Sequence, residues 1–142
     1  MKKAPCLKPL VLIVEDTRDI AILYRHMLSA LGINTVASAE TIAEAKANVA
    51  KIDFDIILSD NSLPDGKGLD FLNKMALRHP GTYRCLITTD LDLTAGDKLR
   101  HNFKAKPLKL SEMEGIIEAA KKHAEEHAAA RQAARRSARK TH

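Results

Sequence analysis

"FDIILSDNSLPDGKGLDFLNKM", residues 54–75, joins an apolar run to an amphipathic one through a polar turn. Ile56, Ile57 and Leu58 in succession predict a strand covered on both faces, the habit of parallel sheets flanked by helices. Asp60 closes that strand, and Pro64, Asp65 and Gly66 supply turn chemistry. Leu69, Phe71, Leu72 and Met75 then recur at helical spacing and predict a helix from Lys67 to His79, ended by the Pro80-Gly81 pair. Asp53 and Asp55, flanking the strand start, read as solvent-facing. Strand, acid, turn and helix in that order form one half of a parallel crossover unit.

The same unit repeats outward. "PLVLIVED" (9–16) is another aliphatic run ending in acids, and Thr17 is placed to cap a helix on Ile20, Leu23, Tyr24, Met27, Leu28 and Leu31 that Gly32 stops. "INTVAS" (33–38) predicts a short strand, and Glu40–Lys51 a helix on Ile42, Ala45 and Val49. "YRCLITT" (83–89) predicts the fourth strand, Thr94–Arg100 a short fourth helix, and "FKAKPL" (103–108) a brief fifth strand. Ser111 with Glu114 three residues on resembles a capping box opening the last helix, whose stripe is Met113, Ile116, Ile117 and Ala120. Five strands alternating with helices predict an α/β fold: a doubly wound parallel sheet with helices on both faces.

The composition agrees. Apolar residues make up 45% of the 142 and charged ones 29%, enough for one real core. Cys6 and Cys85 form no metal-ligand or disulfide pattern, so the thiols read as free and the protein as intracellular, in the cytoplasm. No stretch approaches the roughly 20 apolar residues of a membrane span. The net charge of +5 is localised: five of the 23 basic residues (Arg131, Arg135, Arg136, Arg139 and Lys140) fall in residues 129–142, leaving 18 of each sign in residues 1–128.

In a doubly wound sheet, ligands bind outside the carboxyl ends of the strands. Glu15 and Asp16 end the first strand, Asp60 the third, Thr88 the fourth and Lys106 the fifth, so all five should converge on one edge. Three clustered carboxylates call for a cation, and all-oxygen ligation with room for water suits Mg2+, with Mn2+ as a substitute. A metal, an ammonium and a hydroxyl match the three equatorial oxygens of a transferring phosphoryl group. Asp60, exposed at a strand end, is the carboxylate chosen as nucleophile.

"VED" (14–16), "DNSLPDGKG" (60–68), "LITT" (86–89) and "KPL" (106–108), in this order, resemble the landmarks of the receiver domain of two-component response regulators, over roughly residues 9–122. The resemblance implies a flavodoxin-like strand order 2-1-3-4-5. It also implies a phosphoacceptor role for Asp60, served by a histidine kinase or histidine phosphotransfer protein. Mg2+ would be bound by Glu15, Asp16, Asp60 and the Ser62 carbonyl, and Lys106, before a cis proline bond, would pair with phosphoryl oxygens. Thr88 and Phe103 would be switch residues, and Ser62, Thr89 and Asp90 would tune hydrolysis, with Thr89 slowing it. The chain would catalyse only its own phosphorylation and dephosphorylation, and pass the signal to a downstream protein, with homodimerisation compatible.

The alternative is a degenerate receiver that acts as a phosphorylation-independent interaction or dimerisation module. An aspartyl phosphatase is disfavoured because position 62 is serine where a second acid is needed. Residues 1–122 read as the receiver and 123–142 as a basic Ala/Arg-rich helical extension, with weak, salt-sensitive contact to nucleic acid. His123 and His127, four apart, read as surface.

Overall fold

The structure, a computed structural model, describes residues 9–89 and 102–140. Seven strands, β1 (Val11–Val14), β2 (Val36–Ala39), β3 (Ile56–Asp60), β4 (Ser62–Leu63), β5 (Gly66–Lys67), β6 (Tyr83–Thr88) and β7 (Asn102–Ala105), alternate with four helices, α1 (Arg18–Ala30), α2 (Ile42–Lys51), α3 (Gly68–Arg78) and α4 (Leu110–Lys140). The main sheet has the order β2-β1-β3-β6-β7. Every pairing in it is parallel. Because β4 and β5 form a separate antiparallel hairpin between β3 and α3, this is the expected 2-1-3-4-5 order. The short fourth helix expected at Thr94–Arg100, and Cys6, lie outside the described residues.

Strand alternation sorts the core into two halves. Val11, Ile13, Ile56, Leu58, Cys85 and Ile87 face α1 and α4, meeting Tyr24, Leu28, Met113 and Ile116. Leu12, Val14, Ile57 and Leu86 face α2 and α3, meeting Ala45, Phe71, Leu72 and Met75. Both halves are buried, which is why the strands read as unbroken aliphatic runs. Cys85 is a free thiol inside the first half, and burial pushes its pKa up to about 12.

Helix ends depart from expectation in instructive ways. Thr17 occupies the cap position of α1 but makes no side-chain cap bond; its N–H instead donates to Glu15 Oε2 at 3.2 Å. Gly32, at φ +84, ends α1 as predicted, with Ile33 and Gly32 N–H groups returning to Leu28 and Ser29 carbonyls. Leu23 is about half exposed, and Ala21 takes its place in the core. The last helix starts at Leu110, so the reaching-back acid is Glu112, which accepts from the Lys109 N–H at 3.0 Å, not Glu114. Nothing interrupts α4 at residue 122: one helix runs through Lys140. Asp55 does not face solvent idly, since its Oδ2 accepts the Leu10 N–H at 2.8 Å.

Candidate phosphoryl and metal site

Parallel register brings the strand ends together. Asp60 lies opposite Ile87, one residue short of Thr88, and Thr88 lies opposite Ala105. Lys106 N–H donates to the Thr88 carbonyl at 3.1 Å, so Lys106 enters the site directly from β7. The Lys106–Pro107 bond is cis, as expected.

The acids converge as predicted. One ligand oxygen from each of Glu15, Asp16 and Asp60 lies within 4.8 Å of the others, and among the described residues this is the one such group. Lys106 Nζ donates to Glu15 Oε1 at 2.8 Å and lies 3.5 Å from Asp60 Oδ2. Three carboxylates and one ammonium leave a formal charge of −2, the deficit that one divalent cation neutralises. The oxygen-only donor set, with Asp16 exposed and Asp60 half-buried toward solvent, fits Mg2+ with room for water.

Burial sets the electrostatics. Glu15 is 2% exposed, and this desolvation raises its pKa more than the Lys106 and Thr17 hydrogen bonds lower it, with the Asp60 charge adding to the rise. Lys106 is pulled down by burial, but the hydrogen bond and charge of Glu15, with those of Asp60, outweigh it and leave its pKa raised. The buried Tyr24 phenol is pushed up by burial and then by the charges of Glu15 and Asp60. A groove of about 290 Å³ beside Lys106 is lined by Ile20, Leu23, Tyr24, Thr89, Pro107 and Leu108.

Ser62 opens the β4–β5 hairpin and is exposed, as is Thr89. Thr88 is buried, and Phe103 is half-buried on β7. Asp90 lies outside the described residues.

Three residues that hold the loop were not expected. Asn61 is 4% exposed; its Oδ1 accepts the Leu69 N–H at 3.1 Å and its carbonyl the Gly68 N–H at 2.9 Å, which caps α3. Gly68 permits this approach, because a Cβ there would lie 1.9 Å from the Asp60 carbonyl oxygen. Asp65, read as turn chemistry, accepts the Ile42 and Ala43 N–H groups at 2.8 and 2.9 Å. It thereby anchors the loop to the start of α2, and those two bonds hold its pKa below the usual value. An asparagine directly after the strand-end acid and a glycine at the helix start were the visible signals; the partner of Asp65, 23 residues away, gave none.

The family described as the response regulator receiver domain matches residues 11–118. The chain belongs to that family. It is 34% identical over 113 residues to the response regulator protein PilR of Pseudomonas aeruginosa, a match covering 77% of this chain and 25% of PilR. The regulatory protein LuxO of Vibrio campbellii is 32% identical over 113 residues, covering 75% and 24%. The chain thus spans about a quarter of the length of these curated relatives. Among solved structures, the receiver domain of a LuxO-type repressor from Vibrio parahaemolyticus superimposes with a TM-score of 0.76 at 24% identity, covering 87% of this chain and 98% of that one. The receiver domain of Erythrobacter litoralis PhyR gives 0.70 at 25% identity, covering 80% and 89%. Receivers are in general signalling switches of two-component systems rather than turnover enzymes, and no helix among the described residues is long and apolar enough to cross a membrane.

Proposed function

We propose that Asp60 accepts a phosphoryl group from a histidine kinase or histidine phosphotransfer protein in a Mg2+-dependent reaction, and that the modified chain acts through altered protein contacts. The observation that carries this reading is the placing of Lys106 Nζ between Glu15 and Asp60, with Asp16 completing the acid group. An Asp60 carboxylate oxygen attacks phosphorus, the phosphorus–nitrogen bond of the donor breaks, and the histidine nitrogen leaves with the electron pair. An acyl phosphate remains on Asp60.

Glu15, Asp16, Asp60 and the Ser62 carbonyl would hold the ion, which when bound neutralises charge on the transferring group. Lys106 turns its ammonium toward the phosphoryl oxygens, a charge-assisted contact. Thr88 donates its hydroxyl to the modified Asp60, and Phe103 responds on the neighbouring strand. Ser62, Thr89 and Asp90 tune hydrolysis of the acyl phosphate, and Thr89 slows it. Residues 1–122 carry the switch and 123–142 are a basic extension that follows it, helical through Lys140.

Incubation with Mg2+ and acetyl phosphate, followed by intact mass, tests the reading. One phosphoryl adduct on the chain, lost in Asp60→Asn and on chelation of the metal, is expected. An adduct that survives Asp60→Asn, or none under any condition, overturns it.

A further inference from the structure

Two chain segments that leave the acid group also wall the groove beside it. α1, which begins at Arg18 just after Glu15 and Asp16, supplies Ile20, Leu23 and Tyr24 from its first two turns. The opposite wall is Thr89, next after the end of β6, with Lys106, Pro107 and Leu108, next after the end of β7. Lys106 belongs to both places: it lines the groove, and its Nζ lies 2.8 Å from Glu15 Oε1 and 3.5 Å from Asp60 Oδ2. At about 290 Å³ the groove is close to the roughly 300 Å³ at which small-molecule clefts begin.

The lining is of two kinds. Ile20, Leu23, Pro107 and Leu108 are apolar, and Leu23 stays 48% exposed, so hydrocarbon surface is left for a ligand to cover. Tyr24 is only 3% exposed, yet its hydroxyl has no hydrogen-bond partner among the described residues. A buried polar group in a folded chain nearly always has one. Burial and the charges of Glu15 and Asp60 keep this phenol protonated at neutral pH, so what it offers the groove is a donor. The groove therefore fits a molecule of three parts: an anionic group for Lys106, a hydrogen-bond acceptor for Tyr24, and an apolar tail for Ile20, Leu23 and Pro107. An acyl phosphate joins these three as phosphoryl, carbonyl and hydrocarbon.

We propose that this groove takes the acyl part of small acyl phosphates, so that Asp60 draws its phosphoryl group faster from donors with an apolar tail than from acetyl phosphate, and that Tyr24 donates to the acyl oxygen. The proposal rests on the reading of Asp60 as phosphoacceptor. An Asp60 oxygen attacks phosphorus, the bond from phosphorus to the anhydride oxygen breaks, and the carboxylate leaves with the electron pair; no proton is transferred. Negative charge grows on the leaving carboxylate as that bond breaks. A hydrogen bond from Tyr24 is stronger to the forming anion than to the neutral acyl group, which makes it a contact that favours the transition state. The tail makes the same apolar contact before and during the reaction, so it raises capture of dilute donor without raising the maximal rate.

The test follows the phosphoryl adduct of the full chain by intact mass over time, with Mg2+ and acetyl phosphate, butyryl phosphate or phosphoramidate as donor. Butyryl phosphate carries two methylene groups more than acetyl phosphate. At about fourfold for each methylene withdrawn from water, it should react up to about 15-fold faster well below saturation, and both should reach the same maximal rate. Leu23→Ser, a change at a half-exposed position, should bring butyryl phosphate down toward acetyl phosphate. Tyr24→Phe should slow both acyl phosphates about tenfold relative to phosphoramidate, which has no acyl group; a merely structural role for Tyr24 would slow all three donors alike. Equal rates for the two acyl phosphates, or a Leu23→Ser chain with the butyryl preference intact, would overturn the proposal and leave the groove to a protein side chain, with the reading of Asp60 still standing. Tyr24→Phe slowing all donors equally would remove its role toward the acyl oxygen. No adduct from any donor would overturn the reading of Asp60 and this proposal together.

Discussion

Replacing Gly68 by alanine sets two effects of known size against each other. At a helical position, alanine for glycine is worth up to about 1 kcal/mol in favour of the variant. Against it, the added methyl carbon would lie 1.9 Å from the Asp60 carbonyl oxygen, 2.9 Å from that carbonyl carbon and 2.5 Å from Ser59 Oγ. The nearest atoms belong to backbone in a buried strand, so the start of α3 must retreat by about 1 Å, an overpacking that costs about 1–3 kcal/mol and occasionally more. Retreat also stretches the Gly68 N–H to Asn61 carbonyl bond, now 2.9 Å, forfeiting about 0.5–1.5 kcal/mol. The balance is a net loss of about 0.5–3.5 kcal/mol, a fall in Tm of about 2–12 °C for a chain of this length. Thermal unfolding followed by circular dichroism reads it directly. Gly115, where an added Cβ meets nothing within 4 Å, is the control: Gly115→Ala should raise Tm by about 3 °C. A Gly68→Ala protein as stable as its parent would refute the argument that close approach, and not chance, put glycine beside the phosphoacceptor strand.

Three further outcomes are expected. Asp65→Ala should lower Tm at neutral pH; because its pKa is depressed below 3.8 in the folded chain, the contribution is present above that value and lost as pH falls through the folded pKa, so the two Tm values should converge under acid. Magnesium at ten times its dissociation constant should stabilise the parent by about 1.4 kcal/mol, and a calorimetric scan of Asp16→Asn showing the same gain would exclude Asp16 as a ligand. Cys85, with its pKa at about 12 and fully buried, should resist iodoacetamide at pH 8 in the native chain and be alkylated in urea, as peptide mapping will read.

What the sequence made legible follows from range. β1 and β3 declared themselves because a strand buried on both faces needs no partner to be recognised: Val11–Val14 and Ile56–Leu58 are apolar at every position. Glu15, Asp16, Asp60, Thr88 and Lys106 were legible because a parallel sheet puts every strand's carboxyl end on one edge, so position on the strand implies position in space. Asn61, Asp65 and Gly68 were misread or passed over because their work is defined by contacts that spacing does not encode. Asp65 is an ordinary turn acid until α2 is placed beside it, and Gly68 an ordinary glycine until Asp60 is behind it. Thr17 fills the cap position without a side-chain cap bond, while its own N–H goes to the buried carboxylate of Glu15, a pairing that spacing alone does not show.

These same contacts constrain how a signal could leave the site. The loop after Asp60 is closed at three points, by the Asn61 cap on α3, by the β4–β5 hairpin, and by Asp65 on the first turn of α2. A segment tied at both flanks and in the middle has little freedom to rearrange without breaking several hydrogen bonds at once, each worth about 0.5–1.5 kcal/mol. On the other side of Asp60, Lys106 N–H donates to the Thr88 carbonyl, and β7 is an edge strand whose Asn102 and Ala105 are exposed. If Asp60 is modified as proposed, Lys106 must divide its ammonium between Glu15 and a new anion, and both Lys106 and Thr88 lie toward the edge strand of the sheet. The conformational response should therefore run through the end of β6 and through β7, with the β3–α3 loop serving as the fixed wall against which the phosphoacceptor is held.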